Sequence, residues 1–163
     1  MKKCICFFIL LLVSGCSLES GVSEKIIEKF ELEGKSYFDH LVATQEYESL
    51  LDKIENGDEV LIRGSSLLSQ WVDASTSLSL KYSLSRAITK EPDAVMSLIP
   101  EFYSVSDVCT IPYIEAPIEV ELRHVHESLS ALKRSNKSND AYIECIAVYQ
   151  EIKENITKIP GGR

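Results

Sequence analysis

The side chains best suited to metal or acid–base chemistry lie in one short stretch around His124 and His126. Glu121 and His124 are three residues apart, so on a helix they could ligate one ion, and they form a weak metal candidate. His124 and His126 diverge by about 200° on a helix and cannot share an ion. Two-iron bundles use the Glu-x-x-His pair twice, together with two further glutamates, and no second copy occurs here. We therefore expect no metal and no cofactor, with both histidines facing solvent.

Serines are abundant, notably in residues 75–85, but no Gly-x-Ser-x-Gly elbow surrounds any of them. The sequence also lacks a phosphate-binding P-loop, the dinucleotide-binding glycines, His-Glu-x-x-His and Cys-x-x-Cys. No residue is therefore assigned to catalysis. We predict a protein that is not an enzyme, and the alternative is an enzyme with an unrecognised site.

The first fifteen residues have the layout of a secretory signal. Lys2 and Lys3 give a positive start, residues 4–13 form an apolar run, and two small residues precede Cys16. An apolar run of about ten residues is too short to cross a bilayer, which needs a helix of about twenty. We predict that this segment directs export and is then removed.

The segment Leu12-Val13-Ser14-Gly15-Cys16 resembles the bacterial lipobox. The resemblance implies that Cys16 carries diacylglycerol, becomes the first residue of the mature chain and holds it on the bilayer by its acyl chains. Lipoproteins kept in the inner membrane commonly carry Asp at the next position, which is Ser17 here, so the resemblance implies the outer membrane, facing the periplasm. The predicted regions are the signal (1–15), a lipidated tether (16–23) and a single helical domain (24–163).

The body is acidic. Of the 17 basic and 25 acidic residues of the chain, residues 1–15 hold two lysines and no acid, which leaves 15 against 25 and a net charge of −10. Nucleic acid and anionic lipid headgroups repel such a body, so nucleic acid is not expected as a partner. The charge serves solubility or complements a basic partner.

Two of the five cysteines, Cys109 and Cys145, lie in the body, beyond the signal and the lipidation site. Two cysteines in an exported domain are a disulfide candidate, and the alternative is a pair of reduced, buried thiols. A bridge across this separation would contribute roughly 3 to 4 kcal/mol on the chain-entropy model.

Apolar residues recur at helical spacing along the body, and no stretch shows sustained alternation. We predict an all-α fold of six to eight helices in short antiparallel hairpins, arranged as a HEAT-like or orthogonal bundle with one disulfide. The helix boundaries are placed by Asn56-Gly57-Asp58, Asp73-Ala74-Ser75, Glu91-Pro92 and Asn139 or Asp140.

The first three of these boundary signals, together with residues 107–115, are similar to those of small exported helical proteins of bacteria whose function is uncharacterised. The similarity covers Tyr47 to Cys145. It implies a helical fold and a Cys109–Cys145 pairing, and it implies no activity.

These observations predict a membrane-anchored envelope lipoprotein that acts as a protein-interaction module. Its partner would be an envelope or secreted protein, and its role that of an immunity protein against a delivered toxin or of an accessory to an envelope assembly. The alternative from a different class is a helical domain that binds a small ligand or a metal between its helices.

Overall fold

The computed structural model describes residues 17–135 and 137–158. Every regular element in these two ranges is a helix, which confirms the predicted all-α class. The helices are α1 (Ser17–Glu33), α2 (Lys35–Ala43), α3 (Glu46–Glu55), α4 (Glu59–Leu68), α5 (Ala74–Ala87), α6 (Pro92–Met96), α7 (Val105–Val108), α8 (Ile118–Arg134) and α9 (Asp140–Thr157).

The helix ends follow the local signals read from the sequence. Gly57, at φ 90°, follows the end of α3. The carboxylate of Asp58 then accepts a hydrogen bond of 3.1 Å from the backbone N–H three residues on and caps α4. Asp73 and Thr76 form a reciprocal capping box at the start of α5. The side chain of Asn139 accepts a hydrogen bond from the backbone N–H of Tyr142 and caps α9.

The described ranges hold nine helices, whereas six to eight were predicted for the body. One element that the sequence pattern did not resolve is α7, a single turn inside the proline-containing region that interrupts the helical rhythm. Ser104 and Asp107 start it with a reciprocal capping box. A single turn is too short to show apolar periodicity, so this Ser-x-x-Asp pattern was its only sequence signal.

From α1 to α6 each helix packs against the next along the chain, and from α3 onward each packs against the helix two places further on. In addition α1 lies against α4, and α8 pairs with α9. Buried side chains form one continuous apolar cluster that extends from Phe30 in α1 to Tyr149 in α9. Burial of this cluster is the main stabilising contribution to the fold.

Helix α1 passes through the boundary that the sequence placed between a tether (16–23) and the body (24–163). Ser23 is fully buried, and its hydroxyl donates a hydrogen bond to the carboxylate of Asp58, the cap of α4. The predicted boundary therefore falls inside an ordered helix. The composition of residues 17–23 hid this, because five of these seven residues are polar or glycine. Among the described helices, none has the length and apolar character needed to span a membrane.

Gly64 lies where α1 crosses α4, and a Cβ atom placed there would be 2.1 Å from Ile27 Cδ1 and 3.1 Å from its Cγ1. Alanine favours a helix over glycine by about 1 kcal/mol. We nevertheless expect Gly64→Ala to lower the free energy of unfolding by roughly 1 to 3 kcal/mol, because Ile27 must move out of its packed position. Urea denaturation measures this change.

The matched control is Gly21→Ala in α1, where an added Cβ meets nothing within 4 Å. That variant should keep or increase the stability, since only helix propensity changes. A Gly64→Ala protein that is as stable as the Gly21→Ala protein would contradict the close packing of α1 on α4.

Candidate docking groove

The connection between α7 and α8, residues 109–117, is fixed at its first residue by a covalent bond. The Sγ atoms of Cys109 and Cys145 lie 2.03 Å apart, and their Cα atoms lie 5.5 Å apart. Both cysteines are buried. This confirms the disulfide predicted from the sequence and ties the connection, hereafter the pinned segment, to the middle of α9.

Two backbone carbonyls of the pinned segment are held by α5. The Thr110 carbonyl accepts a hydrogen bond from Ser85 Oγ at 2.9 Å, and the Pro112 carbonyl accepts one from Arg86 Nη1 at 2.7 Å. Arg86 Nε also forms an ion pair of 2.6 Å with Glu55 in α3. These bonds satisfy backbone groups that have no helical partner, so the segment is positioned although it has no regular structure.

His124 lies beneath the pinned segment and is only 3% exposed. Its Nε2 atom is 3.4 Å from Ser85 Oγ and 3.3 Å from the Tyr149 hydroxyl, and the three side chains form the polar cluster. The ring of Tyr113 packs edge-on against the His124 ring, with 5.6 Å between centroids. Burial, and secondarily the charge of Arg86, lowers the pKa of His124 to about 4, so the ring is neutral at physiological pH.

The expectation that both histidines face solvent was therefore wrong for His124, whereas His126 is exposed. His124 precedes Ser128 by four residues and Ala131 by seven, and all three are buried along one edge of the apolar stripe of α8. Small residues at these helical spacings leave room for a larger neighbour. They were the signal in the sequence that could have placed His124 inside.

The polar cluster is suited to holding the fold together. Ser85 is fully buried and donates to the Thr110 carbonyl, so its hydroxyl is neither free nor reachable by a substrate. A serine nucleophile must be accessible to its substrate, and Ser85 is fully buried. We therefore describe the cluster as a structural support for the pinned segment.

Glu121 and His124, the weak metal candidate, lie in two different environments. Glu121 lines a surface groove, whereas His124 Nε2 faces the buried hydroxyls of Ser85 and Tyr149. Within residues 17–135 and 137–158, no group of three or more His, Cys, Asp or Glu side chains is placed to hold a metal ion. The described geometry gives a metal role no support.

The pinned segment continues into a groove of about 970 Å³ at the surface. Its walls come from the end of the pinned segment, the first turn and a half of α8 and the last residues of α9. Tyr113 belongs both to the groove and to the packing over His124. The groove is lined by Tyr113, Glu115, Ala116, Pro117, Ile118, Glu119, Glu121, Leu122, Ile156 and Thr157.

Among the described residues, the groove lining is negatively charged, because it holds three glutamates and no basic side chain. None of the three takes part in the ion pairs found within the described part of the chain. Glu119 and Glu121 lie in the first turn of α8, where they also offset the partial positive charge of the helix start. Glu115 holds a left-handed backbone conformation, with φ at 54°. Strained backbone of this kind is found preferentially at functional sites.

Sequence reasoning had singled out Glu121 among the groove residues, but for a different purpose, and it had missed Tyr113, Glu115 and Ile156. Tyr113 and Ile156 are separated by more than forty positions and carry no shared motif. Only the fold brings them to one surface. Ile114, which lies between two lining residues in the sequence, is 75% exposed.

The fold and the site together define a helical, disulfide-bonded protein with a preformed acidic groove. Comparison of the chain with protein-family models, with curated proteins and with solved structures found no match.

Proposed function

We propose that this protein is a lipid-anchored envelope protein whose groove binds another protein. The observation that carries the proposal is the groove itself, a concave surface whose wall is held by a disulfide and by two side-chain bonds to backbone carbonyls. A surface that is already ordered loses little conformational entropy when a partner binds. An exposed large apolar side chain at its edge, Ile114, supplies area that a partner would bury.

The anchor is a separate part of the proposal, since Cys16 lies outside the described residues. The described part of helix α1 starts at Ser17, the next residue. With Cys16 acylated, the lipid would lead directly into this helix, and the body would stay near the bilayer. Two or more acyl chains hold a protein on a membrane stably, whereas one chain binds reversibly. On the resemblance to lipoproteins, we propose the outer membrane, facing the periplasm, as the location.

The anchor is tested by Cys16→Ser in the full chain, followed by partitioning in Triton X-114. We expect the wild-type protein in the detergent phase and the variant in the aqueous phase, because the thioether to the lipid can no longer form. The double variant Cys4→Ser/Cys6→Ser changes cysteines within the same predicted signal and should leave the wild-type partitioning intact. A Cys16→Ser protein that remains in the detergent phase would refute acylation at this position.

The binding function is tested by photo-crosslinking in the cell that produces the protein. A photo-reactive residue replaces Ile114 at the groove, and in a second strain it replaces Leu32 on α1, which is 77% exposed and so equally accessible. We expect one protein to be crosslinked at position 114 and not at position 32. Mass spectrometry of the crosslinked product identifies the partner.

If a partner is crosslinked at position 32 alone, the protein-binding function stands, but the binding surface does not lie at the groove. No crosslinked protein at either position would refute the protein-binding proposal. A small ligand would then be the alternative occupant of the groove.

A further inference from the structure

We infer that the groove takes an extended, basic polypeptide segment of another protein that also carries apolar side chains. This inference deepens the proposed function and rests on it. Three properties of the groove support this inference: its charge, its apolar floor and its rigidity.

The charge selects a basic occupant. Among the described residues that line the groove, Glu115, Glu119 and Glu121 are acidic and none is Lys, Arg or His. Opposite charges across an interface steer association and penalise acidic partners by like-charge repulsion. The acidity of the whole body, 25 acidic against 15 basic residues, acts in the same direction at longer range.

The apolar lining favours an occupant that carries apolar side chains as well as charge. Ile118, Leu122 and Ile156 contribute apolar surface to the groove, and Pro117 adds a rigid apolar wall. Apolar surface releases free energy when it is removed from water, at roughly 25 cal/mol per Å². A segment in which apolar side chains alternate with Lys or Arg would place one kind against the floor and the other against the glutamates.

The rigidity of the wall favours a linear segment as the occupant. A groove that is already ordered can receive such a segment without rearranging. The pinned segment is held by the Cys109–Cys145 bond and by the contacts of its carbonyls with Ser85 and Arg86. The occupant then bears most of the ordering cost, and a short segment has few residues to order.

The test is selection of random dodecapeptides displayed on phage against the full-length, acylated protein in detergent micelles. Enriched peptides are synthesised with a fluorophore, and their dissociation constants are measured by anisotropy at low and high salt. We expect Lys or Arg interleaved with apolar residues, and affinity that falls as salt rises. Enrichment of acidic or purely apolar peptides, or no enrichment at all, would overturn the inference.

The decisive variant is Glu119→Gln/Glu121→Gln, which should weaken binding of the enriched peptides by roughly 3- to 30-fold, as expected for two exposed charge pairs. The control is Glu144→Gln/Glu151→Gln, which removes the same charge from two exposed positions on α9 that do not line the groove. It should change the affinity less than 2-fold or so. Equal losses in the two variants would show only a general attraction and would overturn the inference.

Two further outcomes separate this inference from the proposed function. A protein crosslinked at position 114, together with failure of the peptides, would keep the function and overturn the basic segment as occupant. Peptide binding that appears only after residues 159–163 are removed would make the chain's own end the occupant, which also overturns the inference.

Discussion

Breaking the bond between Cys109 and Cys145 is expected to lower the free energy of unfolding by roughly 3 to 4 kcal/mol. The bond closes a loop of 36 residues, and without it the unfolded chain gains the corresponding conformational freedom. A typical domain is stable by about 5 to 15 kcal/mol, so the reduced protein should remain folded at low temperature but with a much smaller margin. Urea unfolding of the oxidised and the reduced protein measures the difference.

The double variant Cys109→Ala/Cys145→Ala should behave like the reduced wild-type protein, because both lack the same constraint. Hydrogen exchange should also become faster in residues 109–117, which the bond holds against α9. Binding of the peptides selected on the groove should weaken in parallel, since the wall is less ordered. Unfolding curves that coincide for the oxidised and reduced proteins would contradict this account.

Acid should destabilise the protein through His124 by roughly 3 kcal/mol, in full below about pH 4. The folded state lowers the pKa of His124 from 6.5 to about 4, because the ring is buried and lies near Arg86. Between these two values the unfolded chain binds the proton and the folded chain does not, so stability falls as the pH falls. Above about pH 6.5 the ring is neutral in both states, so His124 no longer makes the stability depend on pH.

The variant His124→Gln removes this titration while keeping a polar side chain beside Ser85 and Tyr149. We expect its free energy of unfolding to depend less steeply on pH between about 4 and 6.5 than that of the wild type. The matched control is His126→Gln on the same helix, which should keep the wild-type slope because His126 is exposed. Parallel slopes for the wild type and His124→Gln would show that the buried ring is not the source.

The carboxylate of Asp93 acts in the same direction at lower pH. Its pKa falls to about 2, first because of its bond to Lys137 at 2.6 Å and then because of bonds from Ser135 and Tyr142. This group favours the folded state above its ordinary pKa and loses that effect as the pH falls toward 2. The comparison with His124→Gln is therefore made above about pH 5, where Asp93 is ionised in both states and its contribution is nearly constant.

The sequence by itself determined the helical class and most of the helix ends. A helix and its cap depend on residues within about four positions of one another, so the signals at Asp58, Asp73 and Asn139 could be read without a structure. The sequence also narrowed the candidate disulfide partners to Cys109 and Cys145, because the other cysteines lie at or before the predicted lipidation site. The structure then confirmed this pairing.

Only the tertiary structure decided the position of His124 and the existence of the groove. The apolar stripe of α8 left His124 at its edge, and contacts from α5 and α9 were needed to bury it. The groove likewise joins Tyr113, Glu119 and Ile156, which belong to three different parts of the chain. Burial depends on what other elements place over a side chain, and the pattern within one helix carries no information about those distant partners.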